Sequence, residues 1–292
     1  MPTEAPAFYR PTPAPGGPSA SDCARPRMNR PFSKLTPMRC WMPARAFGIE
    51  TDGRLFALNS YENRVYQVGS TSHGTLVLKF YRPNRWSDAQ IREEHEFALE
   101  LASAAELPVA APLRVGGDTL LFHDEYRLGV FPKRAGRIAE FDAPGALALV
   151  GRTLGRIHAR GALQPFATRP RLTVARLGHA SRDAVLAAGL LDVDMERRYA
   201  EVAEDLLQAI ETEFETTGPL AMIRIHGDCH VGNILWDEHG PVFVDLDDCM
   251  MGPRVQDLWM PCRARSTSVV ASGRNSPAAT LPSRRSMPPN CG

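Results

Sequence analysis

Hydrophobic positions alternate or run in short blocks up to about residue 131, and recur at helical spacing beyond it. Leu55–Asn59, Arg64–Gly69 and Thr75–Tyr81 carry the alternating or continuous apolar pattern of strands. Ser87–Ala104 reads as a helix: Ser87 suits its N-cap, and Ile91, Glu94, Phe97, Ala98 and Leu101 fall on related faces. Leu107-Pro108 ends it, because a residue before proline is pushed out of the helical region. Thr119–Phe122 and Tyr126–Phe131 read as two more strands around a turn at His123-Asp124-Glu125. Pro144–His158 and Met195–Thr216 are helical by pattern, the first with Leu147, Val150, Leu154 and Ile157 at helix spacing. Ile223–Ile225, Ile234–Trp236 and Val242–Leu246 read as short strands flanking loops. Strands first and helices second predict an α+β chain of two lobes, 48–131 and 132–260, with a cleft between them.

The two ends lack either periodicity. Residues 1–43 hold ten of the 25 prolines and 261–292 hold five more, so both ends are expected to be disordered. The remainder has ordinary globular composition, with 43% hydrophobic and 23% charged residues over the whole chain. A net charge of +1 gives no global field to recruit nucleic acid or an anionic membrane. No apolar run reaches the roughly 18 residues of a membrane span, and the N-terminus carries Pro and Gly where a secretory signal carries an apolar block. A cytoplasmic location is expected, with no nucleic-acid or membrane partner and a monomeric chain. The six cysteines form no CxxC pair, so neither a disulfide framework nor a zinc site is expected; Cys229 and Cys249 read as small buried side chains.

The chemistry concentrates in two stretches. Ile223-Arg224-Ile225-His226-Gly227-Asp228 supplies a strand and a loop carboxylate, and Asn233 follows five residues later. Pro241-Val242-Phe243-Val244-Asp245 places a second carboxylate at the end of the next strand. Phosphoryl transfer needs a carboxylate to orient or deprotonate the acceptor hydroxyl, metal ions on the phosphates, and cations against their charge. Asp228 suits the base; Asn233 and Asp245 offer the hard oxygens that magnesium prefers. Zinc would want more His or Cys, so His226 is expected to hold the loop by hydrogen bonds. Asp247 and Asp248 fit either a solvated acidic turn or a second metal position. Lys79 interrupts the apolar strand Leu76–Phe80. It reads as a snorkelling edge residue or as the phosphate-binding lysine paired with a helix glutamate, and the catalytic loop downstream favours the second. Glu94 fits that glutamate better than Glu93, since it shares the core-facing stripe. The turn Leu58–Asn63 has no glycine fingerprint, so phosphate contact there rests on the Ser60 hydroxyl and backbone N–H groups.

These residues carry a resemblance. Asn59-Ser60-Tyr61-Glu62-Asn63-Arg64-Val65-Tyr66-Gln67, Lys79-Phe80-Tyr81-Arg82-Pro83, Glu93-Glu94-His95, His226-Gly227-Asp228-Cys229-His230, Gly232-Asn233-Ile234-Leu235-Trp236, Phe243–Asp248 and Val255–Met260 resemble the bacterial stress response kinase A family. Its members are serine/threonine protein kinases with an aminoglycoside phosphotransferase-like, bilobal protein-kinase-like fold. The resemblance covers about residues 48–260. It implies a base at Asp228, magnesium at Asn233 and Asp245, an ATP-contacting Ser60, a protein substrate with a serine or threonine hydroxyl, and protection against stress-induced death. Family members continue past Met260 with amphipathic helices, whereas Pro261–Gly292 has five Arg, five Pro and six Ser with no Asp, Glu or aromatic residue. Re-read one frame over, Pro261 to about Thr280 yields a run resembling the family's next segment, so a frameshift and an incomplete C-lobe are expected. Residues 37–42 re-read similarly, and Met28 is a plausible start. The alternatives to a protein kinase are a small-molecule kinase of the aminoglycoside, choline or homoserine type, and an inactive truncated nucleotide-binding product.

Overall fold

The computed structural model describes Phe32, Lys34, Leu35 and residues 47–262, apart from Ala105, Glu140 and Asp142. The expectations for the rest of the N-terminal stretch and for 263–292 lie outside the described residues. Strands β1 (Thr51–Leu58), β2 (Arg64–Ser70), β3 (Gly74–Phe80), β4 (Leu121–His123) and β5 (Tyr126–Pro132) form an antiparallel sheet in the order β1-β2-β3-β5-β4. Alternation along β3 sorts its side chains. Leu76, Leu78 and Phe80 enter an apolar cluster with Val68, Leu128 and Val130, which Phe32, Leu35 and Ile49 cover from outside. Val77 and Lys79 face the other way, into the cleft. The lysine therefore breaks the apolar run because this strand has two buried faces of different chemistry.

Helix α1 (Asp88–Leu99) starts at a capping box: Ser87 accepts the Gln90 N–H while the Gln90 side chain accepts the Ser87 N–H. The single helix expected over Ser87–Ala104 is divided, with the last turn, Glu100–Ala104, widening into a π-helix. Glu100 opens that turn and pairs with Arg224 at 2.7 Å and Arg160 at 2.5 Å, tethering α1 to the larger lobe.

The larger lobe comprises α2 (Ala146–Gly161), α3 (Ala180–Ala187) and α4 (Val193–Thr217). It also holds a β6-β8-β9 sheet (Arg137–Ile138, Ile234–Asp237, Gly240–Phe243) and a β7–β10 ribbon (Ile223–Ile225, Met250–Gly252). Residues 255–262 are helical. Val150, Leu154 and Ile157 on α2 pack with Phe97 and Leu101 of α1 and with Ile234, Phe243 and Met251, so one core spans both lobes. β6 and α3 are missing from the sequence pattern: β6 is two residues long, and no residue of α3 is buried, so neither prints a periodicity. The strand expected over Val242–Leu246 ends instead at Phe243. Asp245 then adopts a left-handed backbone (φ 60°), which Asp tolerates better than most residues, and Leu246–Asp248 forms a 3-10 turn. That bend carries the Asp245 side chain off the sheet and into the cleft.

Candidate active site

The loop after β7 is fixed from behind. Asp257, fully buried, accepts the backbone N–H of His226 at 2.9 Å and of Gly227 at 2.8 Å, and its Oδ2 bonds His158 Nε2 at 2.9 Å. Gly227 has φ 87°, and a Cβ there would meet the Asp248 carbonyl oxygen at 2.1 Å, so the position admits only glycine. His226 Nε2 donates to the Val244 carbonyl at 2.9 Å, joining the loop to the segment after β9. The hydrogen-bonding task expected of His226 is thus met on both its backbone and its ring. Asn233 Nδ2 donates to the Asp228 carbonyl (2.9 Å) and toward its carboxylate Oδ2 (3.3 Å), which brings the loop carboxylate and the amide together. His230 Nδ1 accepts the Gly232 N–H at 2.9 Å, and its Nε2 stands 3.6 Å from Asp228 Oδ2.

Across the cleft, Lys79 Nζ lies 3.1 Å from Glu94 Oε1, 2.8 Å from Asp245 Oδ1 and 3.1 Å from Asp247 Oδ1. Burial pulls the Lys79 ammonium toward neutrality, but Asp245, Asp247 and Glu94 outweigh it and hold its pKa well above the usual lysine value. Burial pushes Glu94 up to about 7 against the pull of Lys79. Asp247 is desolvated too, yet Lys79 and Arg85 hold its pKa below the usual range. It is 3% exposed, which removes the solvated-turn reading for Asp247. Arg85 bridges Asp247 and Asp248, and buried Arg169 donates to the backbone carbonyls of Asp247 and Cys249. Glu93 points elsewhere, accepting the N–H groups of Ala167 (2.5 Å), Thr168 (2.8 Å) and Arg169 (2.7 Å).

Ser60, Lys79, Glu94, Asp228, Asn233 and Asp245 all line one cleft of about 630 Å³ between the lobes. Ser60 stands at its rim in the β1–β2 turn. Cys229 and Cys249 are buried and free; burial raises both thiols, Cys249 up to about 12. Sequence reasoning missed Asp257, His158, Arg85 and Arg169. Asp257 alone left a signal, since it lies in the stretch Val255–Met260 that carries the family resemblance.

A divalent cation fits this donor set. The side chain of Asp245 is about half exposed and faces the cleft, and Asn233 directs its nitrogen to Asp228, which leaves its Oδ1 free of hydrogen-bond donors among the described residues. All are oxygens. Six carboxylates line the cleft (Glu62, Glu94, Asp228, Asp245, Asp247, Asp248) against four cations (Lys79, Arg85, Lys133, Arg134), so negative charge is in excess. Among the described residues no group of three or more His, Cys, Asp or Glu forms a cage.

The sequence profile of the phosphotransferase enzyme family matches residues 55–282. Stress response kinase A from Salmonella choleraesuis is 47% identical over 213 residues, covering 73% of this chain and 64% of that protein. Stress response kinase A from Escherichia coli K12 is 44% identical with the same coverage. The chain therefore spans just under two thirds of these relatives' length. Among solved structures, the amicoumacin kinase hAmiN in complex with AMP-PNP, Ca2+ and Ami superposes with TM-score 0.59 at 20% identity, covering 78% of this chain and 70% of that one. A microcompartment-associated aminopropanol kinase gives 0.56 at 20% identity, covering 82% of each chain. At those identities the likeness fixes the bilobal kinase-like fold, in agreement with the α+β two-lobe architecture expected from the sequence. No helix among the described residues is long and apolar enough to cross a membrane.

Proposed function

Because the chain belongs to the phosphotransferase enzyme family, we propose that it transfers the γ-phosphoryl group of ATP to a serine or threonine hydroxyl of a protein. The observation that carries this reading is the convergence of Lys79, Glu94, Asp228, Asn233 and Asp245 on one cleft. Asp228 accepts the proton of the acceptor hydroxyl as its oxygen bonds the γ-phosphorus and the bond to the ADP oxygen breaks. Lys79, held by Glu94, places positive charge against the phosphates, and the Ser60 turn contributes hydroxyl and N–H donors. Asn233 and Asp245 would hold magnesium, which when bound neutralises charge on the phosphate oxygens.

The 47% identity to relatives named stress response kinase A and serine/threonine protein kinase RdoA supports a protein acceptor and a part in the response to stress. The likeness to the aminopropanol kinase supports a second reading, a small hydroxylated acceptor. Incubation with magnesium and γ-labelled ATP, with generic protein in one arm and a panel of hydroxylated small molecules in the other, decides between them. We expect label on protein serine or threonine, and its loss in Asp228→Asn. Label confined to small molecules overturns the protein-kinase reading, and ATP binding without transfer to any acceptor leaves only a nucleotide-binding product.

A further inference from the structure

Behind the Lys79–Glu94 pair lies a chain of buried polar groups that the phosphoryl-transfer reading leaves unused. Tyr81 follows two residues after Lys79 and is 2% exposed; its hydroxyl donates to Glu94 Oε1 at 3.2 Å. The same hydroxyl oxygen stands 2.7 Å from His95 Nε2, and His95 Nδ1 stands 3.0 Å from Thr119 Oγ1. Each of these side chains is buried. A phenol has one proton. Since Tyr81 gives it to Glu94, its oxygen must accept from His95, so Nε2 carries the imidazole proton. Nδ1 is then an acceptor, and the Thr119 hydroxyl must donate to it. The direction of every bond follows from the first: Thr119 to His95 to Tyr81 to Glu94.

We propose that Tyr81 and His95, with His95 in the Nε2–H tautomer, are positioning residues that lock Glu94 onto Lys79 through this directed chain. Glu94 Oε1 receives two donors, the Tyr81 hydroxyl and the Lys79 ammonium, while Oε2 is buried with no hydrogen-bond partner. Without Tyr81 the carboxylate would be held on the protein side by the ammonium alone, free to rotate about its last bond. The Tyr81 ring also lies under the ammonium, 4.9 Å from Nζ to the ring centroid, so one side chain contacts both members of the pair. The surroundings are shaped for the imidazole. Gly129 of β5 lies opposite Lys79 in the sheet, and a Cβ there would come within 3.2 Å of His95 Nε2 and 2.9 Å of Phe131. Phe131 packs edge-on against the same ring at 5.8 Å. Burial drives His95 down to about 3, so the imidazole stays neutral at physiological pH.

The activity arm of the test rests on the proposed kinase function; a spectroscopic arm does not. In the full-length chain with 15N-labelled histidine, the signal absent from His95→Gln identifies His95, and we expect Nε2 protonated and Nδ1 unprotonated at pH 7. Finding the Nδ1–H tautomer overturns the proposal whether or not the chain turns over ATP. In turnover, Tyr81→Phe keeps the ring beneath Lys79 and removes only the hydroxyl. It should raise the KM for ATP about tenfold, the scale of one hydrogen bond to a charged group, with a smaller change in kcat. His95→Leu should do the same, the double variant should be no worse than either, and His95→Gln, whose amide can still donate to Tyr81, should restore most of the loss. Multiplicative effects in the double variant, or an unchanged KM in Tyr81→Phe, overturn the chain as a positioning device. A parent protein without turnover sinks the kinase reading alone, since the tautomer still decides this one.

Discussion

The ammonium of Lys79 stands 2.8 Å from the carboxylate of Asp245, although 166 positions separate them in the sequence. One residue comes from the third strand of the small sheet and the other from a left-handed bend in the large lobe. Their contact closes the cleft floor and brings the expected cation and the expected metal-binding oxygen into one electrostatic cluster. A phosphate-bound metal ion and Lys79 would share Asp245, so ligand binding must redistribute this charge.

Magnesium-ATP should therefore raise the melting temperature. Linkage gives about 2.7 kcal/mol at a hundredfold excess over Kd. Asp245→Asn should remove much of that gain. A melting curve indifferent to saturating magnesium-ATP in the parent chain speaks against nucleotide binding.

Asp228→Asn should leave that thermal shift nearly intact and lower transfer at least about a hundredfold, the lower range for losing a general base. Asn233 would still find the residue 228 carbonyl, so the loop should keep its shape. Near-parental turnover in this variant removes Asp228 from the base role.

Asp257→Asn tests the support of the loop. An amide can accept from one of the two N–H groups of His226 and Gly227 but sets its own NH2 near the other, or near His158. Leaving one buried donor unmet costs about 1–3 kcal/mol. The melting temperature should fall by several degrees, on the order of 2–4 °C per kcal/mol for a chain of this size. A parental melting temperature would mean that the loop holds itself.

Glu94 gives a pH signature. Burial places its folded-state pKa at about 7, above its ordinary value of about 4.5, so the folded chain binds more protons between those limits. Stability from this group is present in full below the unfolded pKa and is lost as pH rises through the folded one. The melting temperature of the parent minus that of Glu94→Gln should thus decline from pH 5 to pH 8. A flat difference contradicts the raised value.

Cys229 and Cys249 should resist alkylation in the native protein and react once it is denatured, since burial keeps both as thiols. Mass spectrometry of the labelled peptides reads this directly. Rapid native labelling of either would show that the region around the Asp228 loop opens.

Much of the fold was legible because its periodicities are local. β3 alternates, α1 carries a cap and a core-facing stripe, and β7 matches its expected limits residue for residue. The candidate residues drew notice for a different reason: Lys79, Asp228, Asn233 and Asp245 are chemically costly where they stand, and a lysine inside a strand or a carboxylate beside one invites explanation. The sequence could rank Glu94 over Glu93 from the helix stripe, and the structure supplies where each goes, one to Lys79 and the other to the N–H groups of residues 167–169.

What only the tertiary structure decided was pairing at long range. Asp247 fitted a solvated turn and a second metal position alike until Lys79 and Arg85 were seen to pair with it in the interior. Asp257 stood in the Val255–Met260 match with no role assigned to it until the loop after β7 was seen folded onto its carboxylate. The bend at Asp245 left no pattern either, because a single left-handed residue has no period. Hydrophobic spacing is written along the chain, residue by residue, and it determined the longer elements and the buried faces of β3 and α1. A hydrogen bond between residues 31 or 166 positions apart is set by how those elements pack, and nothing in the local sequence encodes the distance between them.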